Sequence, residues 1–465
     1  MAVVEIVTQD PWRRTIRDSL PPLEERLAFG RSLRNKIPRS ELGKWKLSPD
    51  RPDPVDLIEI TNVGRVKELV PIRVGRMAAS PLAFLRGAAA QMAADLASAP
   101  ISGVVSWICG DAHLSNFGVY ASPERSLVFD LNDFDEAVLG PREWDLKRLA
   151  ASIVVAGRSR GFSEDDSREA VLDAVRVYRL GMRELAGLPL VDTYRLRWKE
   201  DQTDVLGISK KSAKQGQKLR QKAETRTNDQ VLRKLTTTRK DGRWCFDEQP
   251  PLLTRLPEKD AERVASALER YTNTLPPDRR DLVNAYAVQD AAFKVVGVGS
   301  VGTRAYVVAL AGNGDRDALF LQVKEAPGSQ LAPYLPEHRV RHQGQRVVEA
   351  QLSLQALSDP FLGWTTIGRR HFYVRQLRDM KGSVDIETMR ARGLIDYSRL
   401  LGGTLAMAHA RCGDPAVIAG YLGKGDQVDR AIAEFAFAYA DQTERDHDAV
   451  VKAINAGRLP AEFGV

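Results

Sequence analysis

Cysteine and histidine are scarce in this chain. Three cysteines (Cys109, Cys245, Cys412) and six histidines are scattered over 465 residues. A disulfide framework and a Cys/His zinc cluster are therefore excluded as organising features, and the thiols fit the reduced state of a cytoplasm. Long apolar runs are missing as well. The best candidate, "FLRGAAAQMAADLASAPISGVV", carries Arg86 and Asp95, which argues against a membrane span. The opening "MAVVEIVTQDPWRRTIRDSLPP" has acids, arginines and prolines where a signal peptide needs an apolar core. Internal repeats and low-complexity tracts are also lacking.

What is present is the composition of a globular protein. Apolar residues make up 43% and charged residues 28%, which leaves enough material for a large core and argues against wholesale disorder. The net charge of +7 is mild at this length: it suits an anionic ligand without marking a nucleic-acid surface. Residues 209–243 concentrate twelve Lys or Arg against three acids. No aromatics interleave with these charges, so the segment reads as a solvated helical insertion rather than a nucleic-acid interface.

Organisation follows from pattern. Residues 1–59, rich in proline and charge, read as an arm laid over the surface. "SPLAFLRGAAAQMAADLA" (80–97) predicts a helix with a Ser-Pro start. "GVVSWICGD" predicts a buried strand ending at Asp111. "NFGVY" and "SLVFDLND", separated by the turn "ASPER", predict a hairpin that brings Asn116 near Asp133. Helices are expected within 143–159 and 165–186. From about 292 the texture turns to strands, "FKVVGVGSVGTRAYVVAL", "ALFLQVKEA" and later "HFYVRQL", with a hairpin signal in "AGNGDRD". The stretch 390–456 is mostly helical, its final long helix opening on Asp426 as an N-cap.

Two polar stretches carry chemistry. "GDAHLSNFG" (110–118) places Asp111 and Asn116 at the D-x-x-x-x-N interval of a kinase catalytic loop, and "FDLNDFDEA" (129–137) places Asp133 where a second metal-binding carboxylate belongs. In that chemistry Asp111 orients an acceptor hydroxyl, while Asn116 and Asp133 hold a metal ion. Turn-capping by the same residues is the competing reading. His113 lacks a nearby second ligand and reads as an imidazole bonding the loop backbone. Asp145 in "EWDLKRLAAS" caps a helix or anchors the loop from below, and Asp135 stands beside Asp133 as a supporting acid.

"GVGSVG" (297–302) has the G-x-G-x-x-G form. A strand follows it rather than a helix, which disfavours a dinucleotide fold and favours a loop covering phosphates with Gly297, Gly299 and Gly302. The next strand supplies Lys324 to pair with phosphates, and a helix supplies Glu349 to hold that lysine. The order is inverted relative to a kinase, whose glycine loop comes first, so a circular permutation is the simplest account. Arg73, Arg76 and Arg86 precede the catalytic strand and are candidates for recognising an anionic acceptor; surface solvation accounts for them equally well.

From about residue 60 onward, the segments "GDAHLSNFG", "FDLNDFDE", "WDLKRLAAS", "VGVGSVGTR", "LQVKEA", "VRQLRDMKGS" and "YADQTERDH" resemble a bacterial family known as a domain of unknown function. "CGDAHLSN" and "DFDEAVLGPREWDL" are also similar to the H-G-D-x-H-x-x-N loop and D-x-x-D segment of aminoglycoside phosphotransferases. That second resemblance implies Asp111 as catalytic aspartate, Asn116 and Asp133 as metal ligands and Asp145 as structural. Cys109 replaces the leading His, Asp135 replaces the Gly of D-F-G, and no A-P-E segment occurs. These departures weigh against a protein kinase more than against a small-molecule kinase.

The resulting expectation is a cytoplasmic α+β protein of permuted, two-lobed, kinase-like fold. Residues 60–284 and 381–465 would form a mainly helical large lobe, and 285–380 a small nucleotide-binding lobe. ATP and Mg²⁺ are the expected cofactors, with phosphotransfer to an unknown small-molecule hydroxyl as the activity. A non-catalytic nucleotide-binding protein and AMP transfer are the alternatives, and neither a membrane nor nucleic acid is an expected partner. A metallophosphoesterase reading of "DAH" and "GDQVDR" fails because the histidines do not cluster.

Overall fold

The computed structural model describes residues 19–198, 206–240, 242–295, 297–314, 317–336, 340–377 and 380–464. The fold is α+β, with a helical half and a sheet half. The chain enters along α1 (Leu23–Ser32) and α2 (Pro54–Asn62), the latter capped by Asp53 with a proline at its first position. The described part of the N-terminal arm is pinned by its arginines: Arg26 pairs with Asp414 at 3.0 Å, and Arg51 bridges Asp95 and Asp446. Helices α3 (Val70–Ala78), α4 (Pro81–Gly87) and α5 (Ala89–Leu96) follow. The single helix expected over 80–97 is thus two, broken at Ala88, where the backbone leaves the helical region; Ser80 does cap its start.

Four short strands then build the loops of interest. β1 (Val105–Ile108) pairs with β4 (Val138–Pro141), and β2 (Phe117–Ala121) pairs with β3 (Leu127–Leu131), all antiparallel. β1 ends three residues before Asp111, leaving 109–116 free to form the polar loop. The helical core comes from α6 (Arg142–Ser159) and α7 (Glu164–Leu185), with α8 (Leu190–Arg195) beyond them. α14 (Ala391–Cys412), α15 (Pro415–Leu422) and α16 (Gln427–Asn455) complete it from the far end of the chain. α6 is buried almost all round and still carries Asp145, Lys147 and Arg148. Asp426 stands at the cap position of α16 but makes no capping hydrogen bond; its carboxylate pairs with Arg430 instead.

The basic segment folds as α9 (Lys210–Glu224) and α10 (Asn228–Leu235), joined to the small ribbon β5 (Thr236–Thr238) and β6 (Trp244–Phe246). Lys210, Lys211, Lys214, Lys218 and Lys222 are all exposed. After it come β7 (Leu253–Arg255), α11 (Glu258–Thr272), α12 (Pro277–Asn284), β8 (Ala287–Lys294), β9 (Ala305–Ala311) and β10 (Ala318–Glu325). α13 (Gln343–Leu354), β11 (Gly363–Ile367) and β12 (Arg370–Gln376) close the sheet half, in the antiparallel order β11-β12-β10-β9-β8-β7.

Alternation along β9 and β10 explains why both faces are covered. Val308, Leu310, Leu319 and Leu321 pack under α11, while Val307, Ala309 and Phe320 pack under α10 and β6. The two halves meet where the chain leaves β12. Gly382 exchanges backbone hydrogen bonds of 2.8 and 2.9 Å with Val119 of β2, so the segment following the sheet is tied to the polar hairpin.

Candidate functional site

The loop at 109–116 is shaped from below by α6. Asp145 is fully buried and accepts from the backbone N–H groups of Cys109 (2.7 Å) and Gly110 (2.8 Å), and His409 Nε2 lies 3.2 Å from its carboxylate. Gly110 has φ of 78°, and a Cβ there would lie 2.3 Å from the Glu136 carbonyl oxygen. Only glycine suits that position. One helical turn on from Asp145, Arg148 donates to Asp111 Oδ1 from Nε (2.8 Å) and pairs with it from Nη2 (2.7 Å). The His113 main chain bonds within the loop, donating to the Asp111 carbonyl at 2.8 Å; its imidazole Nε2 lies 3.7 Å from Asp111 Oδ2, and its buried Nδ1 has no hydrogen-bond partner among the described residues. Burial, against the pull of Asp111, brings this imidazole down to about 4, so it is uncharged at neutral pH.

The hairpin brings its two ends together. Register pairs Phe117 with Leu131, and the Asn132 N–H donates to the Asn116 carbonyl at 2.9 Å. Asn116 Nδ2 donates to the carbonyl oxygens of Asp111 (2.9 Å) and Asp133 (3.3 Å). With its amide hydrogens committed to backbone, Asn116 has Oδ1 as the atom that could hold a cation. Asp133 is 39% exposed and offers a second oxygen ligand. Two such oxygens could hold a hard ion such as Mg²⁺. Among the described residues no group of three His, Cys, Asp or Glu side chains forms a closed metal cage.

Residues from the other end of the chain complete the site. Lys324 is almost wholly buried, donates to Asp135, and its Nζ lies 3.9 Å from Asp133 Oδ2. Tyr373, the cross-strand neighbour of Lys324, donates to Asp135 Oδ1 at 2.9 Å, and Ser300 in the glycine loop donates to Asp135 Oδ2 at 3.2 Å. Burial pushes both carboxyls up. At Asp133 that push, reinforced by Asp135, prevails; at Asp135 the charge and hydrogen bond of Lys324, with Arg375 and Tyr373, outweigh it and hold the carboxyl below the ordinary range.

A cavity of about 360 Å³ results, walled by Asp111, Asn116, Asp133, Asp135, Gly297 and Gly299. Gly302 lies just behind this wall, against the Arg65 side chain. Gly297 and Gly302 both take positive φ, 73° and 86°. Glu349 is not brought in. It lies on the exposed face of α13, where its carboxylate accepts from Gln345 at 2.7 Å, so the partner of Lys324 is Asp135. The residue of α13 that reaches the site is Arg346, which donates to the carbonyl oxygens of Asp135, Ala137 and Pro327.

Several participants escape a reading by motif. Arg148 follows Asp145 by three residues on one helix, a spacing that puts both on the same face and was available in "WDLKRL". Arg375 and Tyr373 alternate on β12, but only the pairing register sets them opposite Gln322 and Lys324. Lys381 also lines the cavity. Burial, then the charge of Arg375, brings its ammonium down to about 7.

Among the described residues no helix is long and apolar enough to cross a membrane. No curated protein and no solved structure matches the chain. A family profile described as an uncharacterized protein conserved in bacteria does match, over residues 65–453, a span that holds every candidate residue named above. The chain belongs to that bacterial family, DUF2252.

Proposed function

We propose that the chain is an ATP- and Mg²⁺-dependent phosphotransferase acting on a hydroxyl of a small-molecule acceptor, on a permuted, two-lobed kinase-like fold. One observation carries this reading. Lys324 and Asp135, 189 residues apart, hydrogen-bond directly at the wall of a cavity that Asp135 lines together with Asp111, Asn116, Asp133 and the glycine loop. The succession strand, glycine loop, strand, lysine strand, helix is that of a kinase small lobe, and it meets a D-x-x-x-x-N loop here from the opposite chain order.

In this mechanism Asn116 and Asp133 would hold the ion, which would supply charge neutralisation on the phosphates. Lys324, oriented by Asp135 in place of a helix glutamate, pairs with the phosphates, while the loop of Gly297, Gly299 and Gly302 covers them. Asp111 accepts the proton of the acceptor hydroxyl, held in position by Arg148. The work is positioning and charge compensation, which is what phosphoryl transfer demands of a protein.

A second reading has a specific observation behind it. Arg375 and Lys381 add two cations to the cavity beside Lys324 and Asp133, and Lys381 Nζ makes no hydrogen bond among the described residues. Phosphates seated towards these cations would turn the α-phosphorus to Asp111 and give AMP transfer. Retention of Asp111, Asn116 and Asp133 together weighs against a non-catalytic nucleotide binder.

The test is the product. Incubation with ATP, Mg²⁺ and a panel of hydroxyl compounds is expected to release ADP and add one phosphoryl mass to an acceptor, with both lost in Asp111→Ala. Pyrophosphate and an adenylyl mass would replace this reading with the second. Full turnover by Asp111→Ala would remove Asp111 from the reaction.

A further inference from the structure

Of the three arginines preceding the catalytic strand, the structure separates one from the others. Arg73 is wholly buried and donates to Asn62, Thr61 and the Gly87 carbonyl, a structural role. Arg76 donates to the Gly297 carbonyl and braces the glycine loop. Arg86, in the last turn of α4, lines the catalytic cavity, and its buried Nε has no hydrogen-bond partner. A Cβ on Gly299 would lie 3.3 Å from the Arg86 carbonyl oxygen, so this residue sits under the glycine loop.

The other guanidinium groups around the cavity are committed. Arg65 donates to Thr61 and Val301, Arg226 to Lys381, Arg375 to Gln322 and Asn132, and Arg148 to Asp111. Burial lowers the Arg86 guanidinium and the charge of Asp111 raises it, so the two groups act on each other across the site. His113 is uncharged and Arg148 already holds Asp111 from behind. Among the described residues lining the cavity, Arg86 and Lys381 are the cations without a hydrogen bond, and Arg86 is the one on which the charge of Asp111 acts. A buried donor without a partner is costly to the fold, and a ligand oxyanion at Nε removes that cost.

We infer that Arg86 binds an oxyanion, a phosphate or carboxylate, on the acceptor, so that the substrate of this site is an anionic hydroxyl compound. This rests on the phosphotransferase reading for the word acceptor, not for the oxyanion site itself. Lys324 serves the nucleotide; Arg86 serves the second substrate next to the aspartate that orients its hydroxyl.

The experiment uses the full chain with inorganic phosphate as the probe, followed by ³¹P line broadening and calorimetry, with and without a saturating non-hydrolysable ATP analogue and Mg²⁺. Wild type is expected to bind phosphate together with the analogue, with a roughly millimolar Kd. Arg86→Gln should weaken phosphate by about tenfold or more while analogue affinity changes less than about twofold, and Arg86→Lys should fall between, because the charge stays and the fork is lost. Both variants should keep the wild-type Tm, since the guanidinium makes no hydrogen bond among the described residues. Phosphate that displaces the analogue, or that binds Arg86→Gln as it binds wild type, overturns the inference. If the analogue binds and phosphate does not, the phosphotransferase reading stands and the anionic acceptor falls. If Arg86-dependent phosphate binding occurs in a protein that takes no nucleotide, the oxyanion site stands and the phosphotransferase reading falls.

Discussion

Two residues on α6, two positions apart and both wholly buried, illustrate how opposite the worth of a buried charge can be. Asp145 is met by two backbone N–H groups and His409, so its charge is compensated at every turn. Lys147 has no hydrogen-bond partner for Nζ, which lies 4.7 Å from the centre of the Phe435 ring. Asp145→Asn turns an N–H group towards backbone N–H groups and is expected to lower stability by on the order of 2 kcal/mol in urea titration. Lys147→Met is expected to raise it, by about 1–3 kcal/mol at pH 7. Burial brings the Lys147 ammonium down from 10.5 to about 8. Between those values the unfolded chain binds a proton that the folded protein lacks, so wild-type stability rises with pH across that window. The advantage of Lys147→Met should therefore be largest below pH 8 and shrink towards pH 10.5; an advantage constant with pH would contradict this. At this scale the sequence was informative where a residue's neighbours are local. Asp145 reads as loop anchor because helix and loop are close in sequence. The orphaned Lys147, whose Nζ finds no partner among the described residues, depends on what distant elements fail to provide.

Among elements, α13 separates what periodicity reveals from what it hides. Its apolar spacing finds the helix, and "QGQRVVEAQLSL" offers two charged side chains, Arg346 and Glu349, one turn apart. Periodicity does not say which one the packing against β12 turns inward. Arg346 is buried and bonds three carbonyl oxygens around Asp135, whereas Glu349 faces solvent. Glu349→Ala should leave Mg·ATP affinity and Tm unchanged within error. Arg346→Ala should cost roughly 2–4 kcal/mol, from three carbonyls stripped of a charged donor, and should loosen nucleotide binding through Asp135. Calorimetry and thermal unfolding on the two variants check both; weakened nucleotide in Glu349→Ala alone would reverse the assignment. The β2–β3 hairpin was legible by contrast, because two apolar runs flank a Pro-containing turn and pair locally, which brings Asn116 to Asn132 and Asp133.

On the scale of the molecule, one site draws on two distant stretches of chain. The polar loops lie before residue 137 and the glycine loop and Lys324 after 296, yet one cavity takes both. Motifs supplied the parts, since each is a local pattern. They could not supply the cations that the assembly adds, Arg375 and Lys381, because these enter through strand register and the packing of distant segments. Nor could they show the basic segment's double role: its lysines are solvated, as charge patterning implies, while Val231 and Leu235 close one face of the sheet.

The central claim is a single Mg-dependent nucleotide site, and its most direct measurement is thermal unfolding of wild type and Asp133→Ala with ATP, with Mg²⁺, with both and with neither. Ligand at a hundredfold excess over Kd adds about 2.7 kcal/mol. The expected result is a Tm rise in wild type that requires ATP and Mg²⁺ together and disappears in Asp133→Ala, whose half-exposed side chain is dispensable for folding. No rise in wild type under any of the four conditions, or the same rise in both proteins, would contradict the account.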